Sequence, residues 1–286
     1  LRKTASSLNR SVVGRHPLVF MGLSAYAVFN ILALVWLVST SLKTSSEILG
    51  TSPWLPPSEP AYNNYIQAWS IGKIGLYLFN SLFVTSITIV CLLLLGSMVG
   101  YVFARVKLRA VTTVRMVFLA AMMMPPFAVV VPLFDILSAV SLLNSRLGLI
   151  LVYIAMQLPI TAFILASFHS TLAVELEEAA AIDGASAWHI FFNVVLPQTR
   201  PALGAVAVVN VLQVWNEFIY ALTFISTQSS YTLPVGIFKL SQLADYSSNW
   251  SILFAGMVFS IVPIVVVFAL FQRTFVGGLS EGAVKL

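Results

Sequence analysis

Chemistry needs side chains that can hold a proton, a metal or a phosphate, and this 286-residue chain has few: Lys, Arg, Asp and Glu together make up 9%. The three histidines, His16, His169 and His189, fall at no metal-ligand spacing, and no HExxH run, nucleophile elbow or paired carboxylates within one apolar run occurs. An enzyme reading therefore has nothing to stand on. A GxxxxGK[ST] loop is absent too, so the chain binds no ATP by that route, and no basic stripe interleaved with aromatics points to nucleic acid. The remaining polar residues worth weighing are Asp135 and Glu217, acids inside long apolar runs with no Lys, Arg or His at comparable depth. Ion-driven carriers string ionisable groups along their path, so the lack of basic partners for these two acids argues against such a carrier. Glu217 follows Trp215 and Asn216, which sets a flat apolar ring beside groups that bond hydroxyls, the pair of surfaces a sugar needs. A helix-to-helix hydrogen bond is the competing use of the same residues.

Those acids sit in a chain that is 59% apolar, far from the composition of a soluble domain, and its long apolar runs without period-2 alternation predict membrane-spanning helices. Six spans are expected, at about 18–39, 75–104, 116–140, 147–168, 202–225 and 250–271. The first follows a basic stretch like a signal peptide but is too long for one. Pro53, Pro56, Pro57 and Pro60 forbid regular helix through the middle of the loop from Lys43 to Lys73. Span two carries Gly96 and Gly100 at GxxxG spacing, which permits close helix approach. Pro125, Pro126 and Pro132 interrupt span three, and a polar loop is expected over 226–249. Cys91 lies alone in an apolar run. With both termini inside, eleven basic residues face the cytoplasm (Arg2, Lys3, Arg10, Arg15, Arg105, Lys107, Arg109, Arg115, Arg200, Arg273 and Lys285) against four outside (Lys43, Lys73, Arg146 and Lys239). The positive-inside rule selects that orientation. It gives a cytoplasmic segment over 1–17, a transmembrane domain over 18–276 and a cytoplasmic tail over 277–286.

The longest charged interruption, 175–201, holds Glu175, Glu177, Glu178 and Asp183 within nine residues. A charge near the bilayer centre costs about 2.5 to 3.5 kcal/mol even on lenient scales, so this segment belongs in water. Strong helix formers fill 175–182, with the acids near the N-terminus, where the helix dipole favours them. Asp183 and Gly184 break the run, Asp as a cap for the next helix and Gly for its freedom at positive φ. Trp188, Phe191, Phe192 and Val195 then recur at i, i+3, i+4 and i+7, predicting one apolar face, and Pro197 is expected to stop the helix. The polar face is acidic, whereas helices that rest on headgroups are usually basic, so docking onto a protein is favoured over lying on lipid.

Glu178-Ala179-Ala180, three residues, Gly184, nine residues, Val194, one residue and Leu196-Pro197 resemble the EAA loop of ABC-importer permeases, with Val194 where Ile is usual. Ser41-Leu42-Lys43 with Glu47, Pro56, Asn64-Tyr65, Asn80-Ser81, Ala104-Arg105, Trp215-Asn216-Glu217-Phe218 and Gly282-Ala283-Val284-Lys285 extend the similarity to the MalG-type carbohydrate permease family across nearly the whole chain. Leu172-Ala173 replaces a proline common before the acidic run, and Leu286 stands where Gly is usual. The resemblance implies an all-α membrane fold of six spans with a cytoplasmic coupling helix pair, and no cofactor in the chain itself. It implies that Glu178, Ala179, Ala180, Asp183, Gly184, Trp188, Phe191, Leu196 and Pro197 couple to an ATPase, and that Trp215, Asn216 and Glu217 line the substrate path. The implied partners are a homologous second permease subunit, two ABC ATPase subunits holding ATP and Mg, an extracytoplasmic sugar-binding protein and membrane lipid. The implied cargo is a di- or oligosaccharide, with glycerol phosphate as the alternative, and the implied place is a prokaryotic cell membrane.

Overall fold

In the computed structural model, residues 17–283 are described, with side chains described through 269 except that of Ser247. The expected N-terminal segment with Arg2, Lys3, Arg10 and Arg15, and the end of the tail, 284–286, lie outside the described residues. Two compact units divide the chain: one comprises 17–72 with Leu240–Val258, the other Lys73–Lys239 and the residues from Phe259 onward.

In the first unit, α1 (Pro17–Ser41) is long and apolar enough to cross a membrane, and its most apolar window buries nothing within the chain. The proline-rich loop beyond it is flanked by two short helices, α2 (Ser45–Gly50) and α3 (Asn63–Ser70). Thr44 and Glu47 cap α2 reciprocally, and Glu47 also accepts hydrogen bonds from the backbone and hydroxyl of Ser58. Asn64 donates to the carbonyls of Ser41 and Lys43 at 2.9 and 2.8 Å, and the buried Lys43 ammonium donates to those of Ser52 and Pro53. The loop's polar residues thus tie down a backbone that prolines keep from pairing with itself.

The second unit is built on α4 (Ile74–Arg105) and α7 (Arg146–His169), both long and apolar enough to cross a membrane. In lipid, apolar surface gains nothing by hiding, so helices associate where small residues let them approach and polar groups meet. A Cβ added at Gly100 would come within 2.9 Å of the Ala162 carbonyl and the Ala166 nitrogen, so the GxxxG spacing is used for α4 against α7. Between α7 and α10 (Arg200–Trp215), buried Thr161 and Asn210 exchange hydrogen bonds of 2.9 and 3.3 Å.

Span three is interrupted as expected: α5 (Arg109–Met123) and α6 (Pro126–Ala139) meet at 109° across Met124 and Pro125, because the residue before a proline is held out of helical geometry, while Pro132 lies within α6 without breaking it. Three expectations need correction. The basic loop shortens, Arg109 and Arg115 lying on α5. Span five breaks at 216–218 into α10 and α11 (Ile219–Phe224). The loop expected over 226–249 contains a helix, α12 (Leu233–Ser247), followed by α13 (Trp250–Ala283), whose window to Ala269 qualifies as a crossing. Four helices qualify singly, and up to six crossings result if two bent pairs each count as one, α5 with α6 and Ala187–Gln198 with α10, the latter bent by 75°.

Candidate functional site

The charged segment folds as a hairpin of α8 (Glu175–Ile182) and α9 (Ala187–Gln198). Gly184 takes φ +82, and behind it the amide of Ala185 reaches the Ala180 carbonyl while that of Gly184 reaches Ala181, a Schellman closure of α8. Nothing stands within 4 Å of where a Gly184 Cβ would be, so only the backbone demands glycine there. Asp183 closes α8 from its C-terminal side rather than capping α9, whose cap is Ser186, its hydroxyl accepting from the His189 amide at 3.3 Å.

Within α9 the backbone widens to a π-helix over Ile190–Val195. Pro197 has no N–H to donate and its ring crowds the carbonyl four residues back, and the wider turn relieves this without ending the helix, which continues to Gln198. The change of period splits the predicted apolar face. Ile190, Phe191 and Val195 are buried against Met98 and Tyr101 of α4 and against Ala180 of α8, whereas Trp188 and Phe192 stack outward with ring centroids 6.0 Å apart. Phe191 is therefore an anchor inside the hairpin. Trp188 and Phe192 are exposed, and so is Ile182, which is 87% exposed at the end of α8 and was missed because an apolar residue two before a glycine reads as an ordinary helix end. Glu178, Ala179 and Asp183 are exposed, while Ala180, Leu196 and Pro197 are half-buried.

Glu177, which sequence alone placed on a solvated polar face, is the hairpin's tether. Its carboxylate accepts from the Tyr101 hydroxyl at 2.7 Å and from Arg105 Nε at 2.9 Å, and Arg105 Nη2 lies 2.7 Å from it. The same Nη2 donates to the Leu172 carbonyl at 2.9 Å. Both charged side chains are largely withdrawn from solvent, and theirs is the single Arg–Glu pair among the described residues.

At the break after α10, the Glu217 carboxylate accepts from the Tyr153 hydroxyl at 2.6 Å and from the amides of Tyr220 and Ala221 at 2.8 and 3.1 Å. It thereby satisfies the orphan donors that open α11. Trp215 is buried, with its indole donating to the Ser260 carbonyl at 3.3 Å. Asn216 is exposed and donates to the Leu212 carbonyl, which leaves its amide oxygen free to accept. Asn216 and Glu217 stand in the wall of a cavity of about 510 Å³, together with Gln157 of α7, Gln213 of α10 and Phe127 of α6. Trp215 is not in that wall. Gln157 and Gln213 carried no signal in sequence, since one amide in an apolar helix reads as packing. The cavity wall holds amides, aromatic rings and thioethers, and no cation.

Residues 93–280 match the family of binding-protein-dependent transport system inner membrane components. Over 284 residues the chain is 37% identical to the diacetylchitobiose uptake system permease protein NgcG of Streptomyces coelicolor, covering 99% of this chain and 92% of that one. It is 33% identical over 271 residues to the arabinooligosaccharides transport system permease protein AraQ of Bacillus subtilis, with 94% of each covered. Its fold is similar to that in the crystal structure of a bacterial ABC transporter involved in the import of the acidic polysaccharide alginate, with a TM-score of 0.75 at 19% identity, covering 93% of this chain and 98% of the other. A helical chain with several candidate crossings, whose charged hairpin is tethered to one of them, and which matches these permeases over most of its length, belongs to the binding-protein-dependent transport system inner membrane components, the permease subunits of ABC importers.

Proposed function

We propose that this permease carries a neutral di- or oligosaccharide across a prokaryotic inner membrane, driven by ATP hydrolysed in a separate subunit that grips the α8–α9 hairpin. The observation that carries the reading is the hairpin itself. Ile182, Trp188, Phe192, Glu178 and Asp183 are exposed on it, while Phe191, Val195 and the Glu177–Arg105 pair bind it to α4. An element built only to rest on a surface needs no such tether. In this reading two ATPase subunits bind ATP and Mg, a homologous second permease completes the pathway, an extracytoplasmic binding protein delivers the sugar, and both termini face the cytoplasm. ATP closes the ATPase pair, the hairpins move with it, and the bundle passes from inward-open to outward-open.

The cargo follows from the cavity beside Asn216. Three amides donate to and accept from hydroxyls, Phe127 offers a ring face, and no Lys or Arg stands in the wall to neutralise an anion. Glycerol phosphate is disfavoured on that ground, since Glu217 would repel its phosphate and no cation would compensate. Similarity to permeases named for diacetylchitobiose and arabinooligosaccharides points the same way. The test is uptake by the reconstituted complex with its binding protein. Uptake should require ATP and survive collapse of every ion gradient, and Asn216→Ala should lower transport with little change in ATP hydrolysis. Uptake that follows an ion gradient without ATP would select an ion-coupled carrier and refute the reading.

A further inference from the structure

A second cavity, of about 400 Å³, lies between the C-terminal end of α4 and the first turns of α5, and every residue in its wall is apolar, including Met98, Val102, Phe103, Val111 and Val114. A sugar has nothing to bond there. The rim is of the opposite character. Lys107, Arg109 and Arg115 are exposed, and among the described residues none of them is paired with a carboxylate, whereas neighbouring Arg105 is taken by Glu177. The Arg115 guanidinium lies 5.7 Å from the centroid of the Phe103 ring, which puts a cation directly on the groove's own wall.

Because α4 crosses the membrane and ends at Arg105, the connection at 106–108 lies at headgroup depth whichever side it faces. We propose that this groove is a binding site for an anionic phospholipid, with an acyl chain along Val102, Val111 and Val114 and its phosphate against Lys107, Arg109 and Arg115. A zwitterionic lipid fills the groove equally well but leaves the three cations without net counter-charge. An apolar helix of a partner subunit would likewise cover the wall and leave the rim unneutralised. Basic pockets beside membrane helices favour anionic headgroups, and long Arg and Lys side chains reach the phosphate while their stems stay in the apolar region.

The experiment uses the complete complex, stripped of lipid in detergent and titrated with phosphatidylglycerol or phosphatidylcholine, with bound lipid counted by native mass spectrometry. The wild type should retain phosphatidylglycerol preferentially, and Lys107→Gln with Arg109→Gln should lower that preference about 30-fold, each cation near the surface being worth roughly a factor of five. Val114→Trp, which fills the groove, should lower binding of both lipids while the rim charges remain. Arg115→Gln is the alternative charge variant should the double variant fail to assemble. Equal retention of the two lipids by the wild type, or an unchanged preference in the charge variants, would overturn the proposal. So would a photo-cross-linker at Val114 that captures the partner permease instead of lipid.

Discussion

Replacing Glu177 with alanine tests whether the hairpin is a lever or only an attachment. The carboxylate receives one hydroxyl and a two-nitrogen guanidinium contact, and its side chain is 11% exposed against 16% for Arg105. Removing one member of a buried pair costs about 3 to 5 kcal/mol, and the residual exposure here argues for about 3. Moving a two-state equilibrium from 1:99 to 99:1 takes about 5.5 kcal/mol. If the whole loss falls on the transmitted free energy, about 2.5 kcal/mol remains, enough to bring the driven state only to about 40% instead of 99%. Sugar delivered per ATP should therefore fall about 2.5-fold in proteoliposomes while ATP hydrolysis continues. The exchange Arg105→Glu with Glu177→Arg should recover part of the ratio, since it restores opposite charge but not the Leu172 contact. A wild-type ratio in Glu177→Ala, with the protein correctly assembled, would refute the mechanical role given to this tether.

Gly184→Val has open space for its side chain, so its cost is the left-handed backbone alone, at least about 1 to 2 kcal/mol, and it should uncouple ATP hydrolysis from transport, whereas Gly184→Asn should retain most coupling. Glu217→Ala strands the Tyr153 hydroxyl and two amides at the start of α11, so thermal unfolding of the complex should show a loss of about 2 to 4 kcal/mol, in contrast to Asn216→Ala, which should alter transport with little loss of stability. Hydrogen bonds from Ser58 and the Thr44 backbone hold the Glu47 carboxyl below its ordinary value of 4.5. A lowered folded-state value means the carboxylate's stabilisation is complete above 4.5 and is lost as pH falls through the lowered value, so amide exchange at Ser58 and Thr44 should accelerate only below about pH 4.5. Gly100→Leu should separate α4 from α7 and prevent assembly, as judged by recovery of the complex after solubilisation, because the contacted atoms are backbone and cannot yield.

Much of this was legible from patterns that depend on one residue at a time. Apolar run length located α1, α4, α7 and the start of α13 to within two residues, because the bilayer's thickness acts on each helix separately. The bend at Gly184 was legible for the same reason, since positive φ is a property of one residue. What sequence could not disclose depends on partners distant in the chain. Glu177 looks no different from Glu175 or Glu178 until α4 brings Tyr101 and Arg105 alongside it. The helical period misassigned Phe191 because Pro197, lying beyond the apolar stretch, widens the turn before it. Glu217 read as either a path-lining group or a helix-to-helix hydrogen-bond partner, yet two of its three hydrogen bonds exist only because the helix breaks there, and the break in turn exposes the amides that need it.

In the proposed function the same contacts carry movement of the charged hairpin to the cavity beside Asn216. Glu177 and Phe191 fix the hairpin to Arg105 and Tyr101 on α4. Gly96 and Gly100 bring α4 so close to Thr161, Ala162 and Ala166 that neither helix can slide without the other. Thr161 in turn holds Asn210 of α10, roughly one and two-thirds turns from Asn216 in the cavity wall. Each link joins close-packed backbone or a buried polar pair, the kinds of contact that pass from one discrete arrangement to another and do not stretch. The joint at 216–218 is where that stiffness ends, and Glu217 spans it by accepting from Tyr153 on α7 as well as from the first amides of α11. A break so bridged lets α11 be re-aimed as a unit when α7 moves. In the proposed function this releases the sugar from one side of the cavity without unravelling the helix that forms its wall.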